Sequence, residues 1–255
     1  GTWSLSITTS GVTLHPSLLL LGNGTKSADN SVRGGFGEGM KASLLILARE
    51  GLNVEVFNGP KLWKPVFSHS DLYDCDMLVV QETDLPFDNE DLIFSINGLS
   101  GEERSAIISR TLPMQDITKY KESSCGILLE SPHHAGKVFV GGLFVAKCNT
   151  EKGYNFAPDQ VKLNRDRQTL PDWDLKNLIS KLWCDVVEPE LVVDAVLEGK
   201  NDLSHMEYNH YIPEIVKDAA YTKHLELHGD VPVVSSASKL AEMKEKGYTN
   251  TVLNT

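Results

Sequence analysis

The amino-acid sequence predicts an α/β protein, strand-rich over residues 1–150 and mostly helical over 151–255. Two patterns carry this reading. An apolar helix at Gly39 to Glu50 is followed by four strand candidates in succession. From Asp172 onward the apolar residues take helical spacing instead. The chain of 255 residues is long enough for a sizeable core. Its 41% hydrophobic and 23% charged content fits a folded protein.

Trp3 to Thr8 alternates and reads as a strand. Gly11 to Pro16 turns the chain, and Pro16 to Leu21 is a short helix candidate. Gly22 to Gly35 is rich in Gly, Ser, Asn and Asp and reads as a loop. In the helix that follows, Met40, Leu44 and Leu47 share a face, and Gly51 suits the left-handed position after its end. The strand candidates are Leu52 to Phe57, Leu62 to Phe67, Asp76 to Glu82 and Asp91 to Ile96, with an Asn58-Gly59 turn between the first two. Ser100 and Glu103 form a capping box for a helix to about Arg110. Gly126 to Glu130 is a strand, and Lys137 to Lys147 a longer one interrupted by a bulge or bend at Gly141-Gly142.

Beyond Tyr154 the character changes. Pro158 to Arg167 reads as irregular and basic. Asp172 to Trp183, Pro189 to Leu197 and Pro213 to His224 read as helices. Val231 to Ser235, Ser238 to Lys246 and Tyr248 to Leu253 spell strand, helix, strand, part of a βαβ unit.

The net charge of −11 weighs against nonspecific binding to nucleic acid or anionic membrane. No apolar run is long enough to span a bilayer, and the first residues lack the basic start of a signal peptide. Cys75, Cys125, Cys148 and Cys184 are widely spaced and read as free thiols of a reducing, cytoplasmic compartment. Direct nucleic-acid binding and membrane association are therefore not expected.

The ligand signal lies in Gly34, Gly35, Phe36, Gly37, Glu38 and Gly39, which run into Met40, Lys41 and the apolar helix. A helix start carries unpaired N–H groups and partial positive charge, which suit phosphate. Glycine lets the backbone approach an anion closely. The order Gly-x-x-Gly-x-Gly is not that of the dinucleotide fingerprint, and a polar loop precedes it rather than a strand. Met40-Lys41 after Gly39 is not the Gly-Lys-Ser/Thr of a P-loop.

Leu21-Gly-Asn-Gly-Thr-Lys26, a polar spacer and Gly34-Gly-Phe-Gly-Glu-Gly39 resemble the ATP lid of the GHKL ATPases, the superfamily of gyrase B, Hsp-ninety-type chaperones, MutL and histidine kinases. Ile7 to Leu14 resembles the strand and turn that carry Asp-x-Gly-x-Gly there. The resemblance spans most of residues 3 to 57. It implies a Bergerat-type two-layer sandwich over 1–150, a mixed and mostly antiparallel sheet with helices on one face, and a smaller helical region over 151–255. It implies ATP as ligand with Mg2+, Thr25 and Lys26 in a mobile lid, and phosphate at Gly34 to Lys41. It also implies lid closure that switches contacts with a second copy or a protein partner. Lys162-Leu-Asn-Arg-Asp-Arg167 resembles the segment whose arginine reaches the γ-phosphate, with Arg167 as the catalytic sensor and Arg165 and Lys162 as alternates.

The chain departs from the family in two places. The adenine-binding Asp aligns with Thr9, leaving Thr9 and Gly11 as the adenine-side residues, and the turn's second glycine aligns with Thr13. The N-box helix, with its Glu base and Mg2+-binding Asn, would precede Trp3. Three accounts follow: a fragment, a degenerate and noncatalytic relative, or a partner supplying the helix. A general base contributes about 10²–10⁴-fold, so weak ATPase activity is expected of this chain alone. Glu190 to Ala195 and Glu214 to Ala219 look superficially like an N-box but read as plain amphipathic helix.

The remaining groups read as structural. His133-His134 is expected in a solvated loop, and the acidic runs Asp71, Asp74, Asp76 and Asp88, Glu90, Asp91 likewise. His205, His210, His224 and His228 are not expected to form a zinc site. A metal-dependent hydrolase using the acidic loops is a third functional reading, and a noncatalytic interaction module is the second.

Overall fold

The computed structural model describes residues 1–19, 39–161, 171–206, 212–231, 233–234, 236–247 and 252–253. Its architecture is α/β, with two five-stranded, mostly antiparallel sheets and six α-helices among the described residues. The sequence reading expects one sheet; the strands divide between two. The chain forms two compact units. The first is Gly1–Asp116, with Val140–Phe144 and a segment starting at Ala157. The second is Ile117–Phe139, Val145–Phe156 and the remainder. The main division falls at residue 116, against 150 from the sequence.

In the first unit the sheet runs β1(Trp3–Thr9), β5(Leu92–Leu99), β2(Asn53–Asn58), β3(Lys61–Ser70), β4(Cys75–Asp84) across its width. Neighbouring strands are antiparallel throughout. One face carries Val54 and Val56 of β2, Trp63 of β3 and Leu92 of β5. These pack with Leu44 of α1(Gly39–Arg49) into a buried core. Burying each such side chain contributes about 1.5–3 kcal/mol. Trp63 satisfies its indole by donating from Nε1 to Glu82 Oε2 at 2.8 Å. Ser100 caps α2(Gly101–Arg110) with both bonds of the capping box formed. Arg104 of α2 stacks its guanidinium 4.1 Å from the centre of the Trp3 ring.

The other five-stranded sheet has the order β6(Tyr120–Ser123), β7(Gly126–Leu129), β10(Gly153–Phe156), β8(Lys137–Val140), β9(Leu143–Lys147). Gly141 and Gly142 both have positive φ, 54° and 78°, so the apolar run 137–147 folds back as a hairpin. The bulge or bend expected there is a chain reversal. The sequence reading assigns no strand to β10, yet Tyr154 and Phe156 are fully buried. The helices are α3(Asp172–Val186), α4(Pro189–Leu197) and α5(Glu214–His228). The segments resembling an N-box lie in α4 and α5, whose apolar faces bury Val192 and Val216. The end of the chain is a small βαβ unit: β11(Val233–Val234) pairs in parallel with β12(Val252–Leu253) around α6(Ala237–Glu245).

A buried carboxylate organises the second unit. Asp202 is 3% exposed. Its oxygens accept from the Glu151 amide at 2.6 Å, the Lys152 amide at 3.2 Å and the Tyr154 hydroxyl. Trp183 Nε1 donates to that hydroxyl at 2.9 Å. Burial, with the Asp202 carboxylate beside it, pushes the Tyr154 hydroxyl far above the ordinary phenol range, so it stays a donor.

Candidate functional site

The start of α1 is the described part of the glycine-rich signal. Its helix forms because Met40, Leu44 and Leu47 pack on the first unit's core while Gly51, at φ 73°, closes the far end. There the Leu52 amide donates to the Leu47 carbonyl at 3.1 Å and the Gly51 amide to the Ala48 carbonyl at 3.2 Å. This double closure fixes the helix axis and so the direction of its first turn.

That first turn holds no acidic residue. A side chain built at Gly39 would meet nothing within 4 Å among the described residues. Lys41 is half-buried beside it. The positive end of the helix dipole and a cation thus share one end. The donor set suits an anion. Among the described residues no group of three or more His, Cys, Asp or Glu is placed to hold a metal.

The turn after β1 approaches the same core. Thr9, exposed at the end of β1, pairs with Leu92 and so shares the face that α1 covers. Leu14, Leu19 and Met40 all pack on the one core cluster. The backbone of the turn is held by two side chains. Asn58 Oδ1 accepts from the Leu14 amide at 2.6 Å, and Asn58 Nδ2 donates to the Leu14 carbonyl at 2.8 Å. Asp91 Oδ1 accepts from the Gly11 amide at 2.9 Å. Asn89 Nδ2 in turn donates to the carbonyls of Gly59 and Asp91, each at 2.8 Å.

Asn58, Asn89 and Asp91 are the residues sequence reasoning missed. Asn58 was read only as half of a turn, and Asp91 as part of a solvated acidic run. Asp91 is half-buried and engaged, which corrects that expectation. The signal that could have found Asn58 is its place on the inward face: in the alternation Val54, Val56, Asn58 it is the polar member.

The structure brings Gly39, Met40 and Lys41 to the same sheet face as the Thr9 to Leu14 segment. Thr25, Lys26, Gly34, Gly35, Phe36, Gly37 and Glu38 lie outside the described residues, as do Lys162, Arg165 and Arg167.

The other candidates resolve as follows. His134 is 3% exposed rather than in a solvated loop, while His133 is exposed. Burial, with the positive charges of His133 and Lys137 nearby, holds the His134 pKa below the ordinary histidine value. The acidic β3–β4 hairpin is exposed and gathers around His69, with Asp76 at 3.3 Å, Asp74 at 3.8 Å and Asp71 at 4.0 Å. All four cysteines are free. Burial pushes the Cys184 thiol up to about 11, far from a reactive thiolate. His224 and His228, expected to lack zinc-site spacing, stand four residues apart on α5. No helix among the described residues is long and apolar enough to cross a membrane.

Among known proteins, no family model, curated sequence or solved structure matches this chain.

Proposed function

We propose that the first unit is a GHKL-like ATP-binding domain of Bergerat type, with triphosphate held at the N-terminus of α1. The observation that carries this reading is the acid-free first turn of α1, which continues the Gly34 to Gly39 run and stands on the same core as the Gly11 to Leu14 turn. The backbone N–H groups of Gly39, Met40 and Lys41 would receive phosphate oxygens, and the Lys41 ammonium would offset their charge. The Thr9 and Gly11 end of β1 would take the base. The lid with Thr25 and Lys26 would order over the nucleotide, and its closure would change contacts with a second copy or a protein partner.

In this reading Mg2+ arrives with ATP and is held by the phosphates, and hydrolysis depends on a general base and an arginine such as Arg167. The base would be the Glu of an N-box helix. A noncatalytic module on the same scaffold is the second reading, favoured by Thr9, which puts a hydroxyl where an adenine-binding carboxylate is expected.

Nucleotide-dependent melting separates the two. A ligand at a hundred times its Kd stabilises the folded state by about 2.7 kcal/mol, which raises Tm by several degrees. Saturating Mg-ATP is expected to give that rise. A melting temperature that does not move in millimolar Mg-ATP leaves the interaction module standing.

A further inference from the structure

The last turn of α5 carries His224 and His228, one turn apart on the same side. Their ring centroids are 5.1 Å apart, with the planes tilted by 40°. Two imidazoles on one tetrahedral metal, with bonds of about 2.0–2.1 Å, hold their centroids about 5 Å apart. The pair already has the separation of a chelate.

The tautomer of His224 is set by its surroundings. Its Nε2 lies 2.7 Å from the carbonyl oxygen of Val231. A carbonyl can only accept, so Nε2 carries the proton and Nδ1 keeps its lone pair. A ring nitrogen bonded to a backbone carbonyl is the outer contact that orients metal-bound histidines generally. His224 is half-buried and His228 exposed, so one ligand is held and the other can adjust. Both rings line an apolar groove between α4 and α5 of about 580 Å³. The lysines in that lining already have partners: Lys223 pairs with Asp194 at 2.9 Å and Lys217 with Glu214 at 2.7 Å. Their charge is locally balanced and does not bar a cation.

We propose that His224 and His228 form a two-histidine site for a borderline divalent metal of the zinc, nickel or copper class, at the mouth of the α4–α5 groove. Imidazole nitrogens suit these ions and not Mg2+ or Ca2+. The protein supplies two ligands, and the other coordination positions open to water or to a donor entering the groove. Bound metal would lock the final turn of α5, where helices otherwise fray. The site is independent of the nucleotide reading and lies wholly in the second unit.

The test is titration of the chelator-stripped full chain with Zn2+ alone, followed by calorimetry, and again with Cu2+. One equivalent is expected to bind, more tightly for Cu2+ than for Zn2+. His224→Gln and His228→Gln should each lower the affinity about tenfold or more, while His133→Gln leaves it unchanged. His228 is exposed, so H228Q keeps its fold, and far-UV circular dichroism checks this for both variants. Binding that survives in H224Q and H228Q alike, or no heat from either metal, overturns the site.

Discussion

The carboxamide of Asn58 forms two hydrogen bonds to the backbone of a single residue, Leu14, one to its amide and one to its carbonyl. Asn58 is 6% exposed, so water cannot readily replace it. The side chain acts as a short stretch of strand, pairing a turn that no strand reaches. Asn58→Ala should leave both Leu14 groups without partners and cost about 2–4 kcal/mol. Asn58→Asp keeps the acceptor but sets a buried carboxylate oxygen against the Leu14 carbonyl, so its loss should be at least as large. Urea denaturation orders the three proteins. If N58A matches the parent in midpoint, the turn is not held by this residue.

Gly39→Asp separates helix stability from anion binding at α1. A carboxylate in the first turn favours the free helix by about 0.3–1 kcal/mol. A side chain there meets no atom of the described residues within 4 Å. The variant should therefore melt at or above the parent's temperature without nucleotide. With Mg-ATP the rise should shrink sharply, because the new charge faces phosphate. An undiminished rise would move the phosphates away from α1.

His134 makes the second unit sensitive to mild acid. Its folded pKa is lowered, first by burial and then by His133 and Lys137. The unfolded chain has an ordinary histidine there, near pH 6.5. Between the two values the unfolded state binds more protons, so stability rises with pH. This contribution is complete above about pH 7 and declines as pH falls below 6.5 toward the folded pKa. Chemical denaturation at pH 7.5 and 5.8 should show the decline, and His134→Asn should flatten it. Equal slopes for variant and parent would remove His134 from the cause.

The parts of this fold with local causes are legible in the sequence. The capping box at Ser100 and Glu103 forms as read, because two side chains three positions apart decide it. Pro189–Leu197 is helical over the span expected, because proline opens it and its apolar spacing is regular. Strand β10 was missed because Gly-Tyr-Asn-Phe carries no alternation long enough to register. Its burial comes from partners distant in the chain, β7 among them. The Gly141-Gly142 turn reads from sequence as a bulge or bend because one apolar run spans both arms of the hairpin. In the candidate site the start of α1 follows from glycine and apolar periodicity. The polar clamp of Asn58 and Asp91 does not, since the bonds span 44 and 80 residues.

The buried carboxylate of Asp202 has a consequence for synthesis of the chain. The amides of Glu151 and Lys152 and the hydroxyl of Tyr154 find their acceptor about fifty residues later. Until that residue leaves the ribosome, the entry to β10 has unpaired donors and no lock. The sheet β1 to β5 needs nothing beyond Leu99 for its strands to pair. Translation thus presents an early sheet that can close as it emerges and a late one that must wait. A chain stopped between residues 156 and 202 would carry the strands of both sheets while exposing the apolar face of the second. Such a nascent intermediate, with apolar surface still uncovered, is the aggregation-prone stage of synthesis.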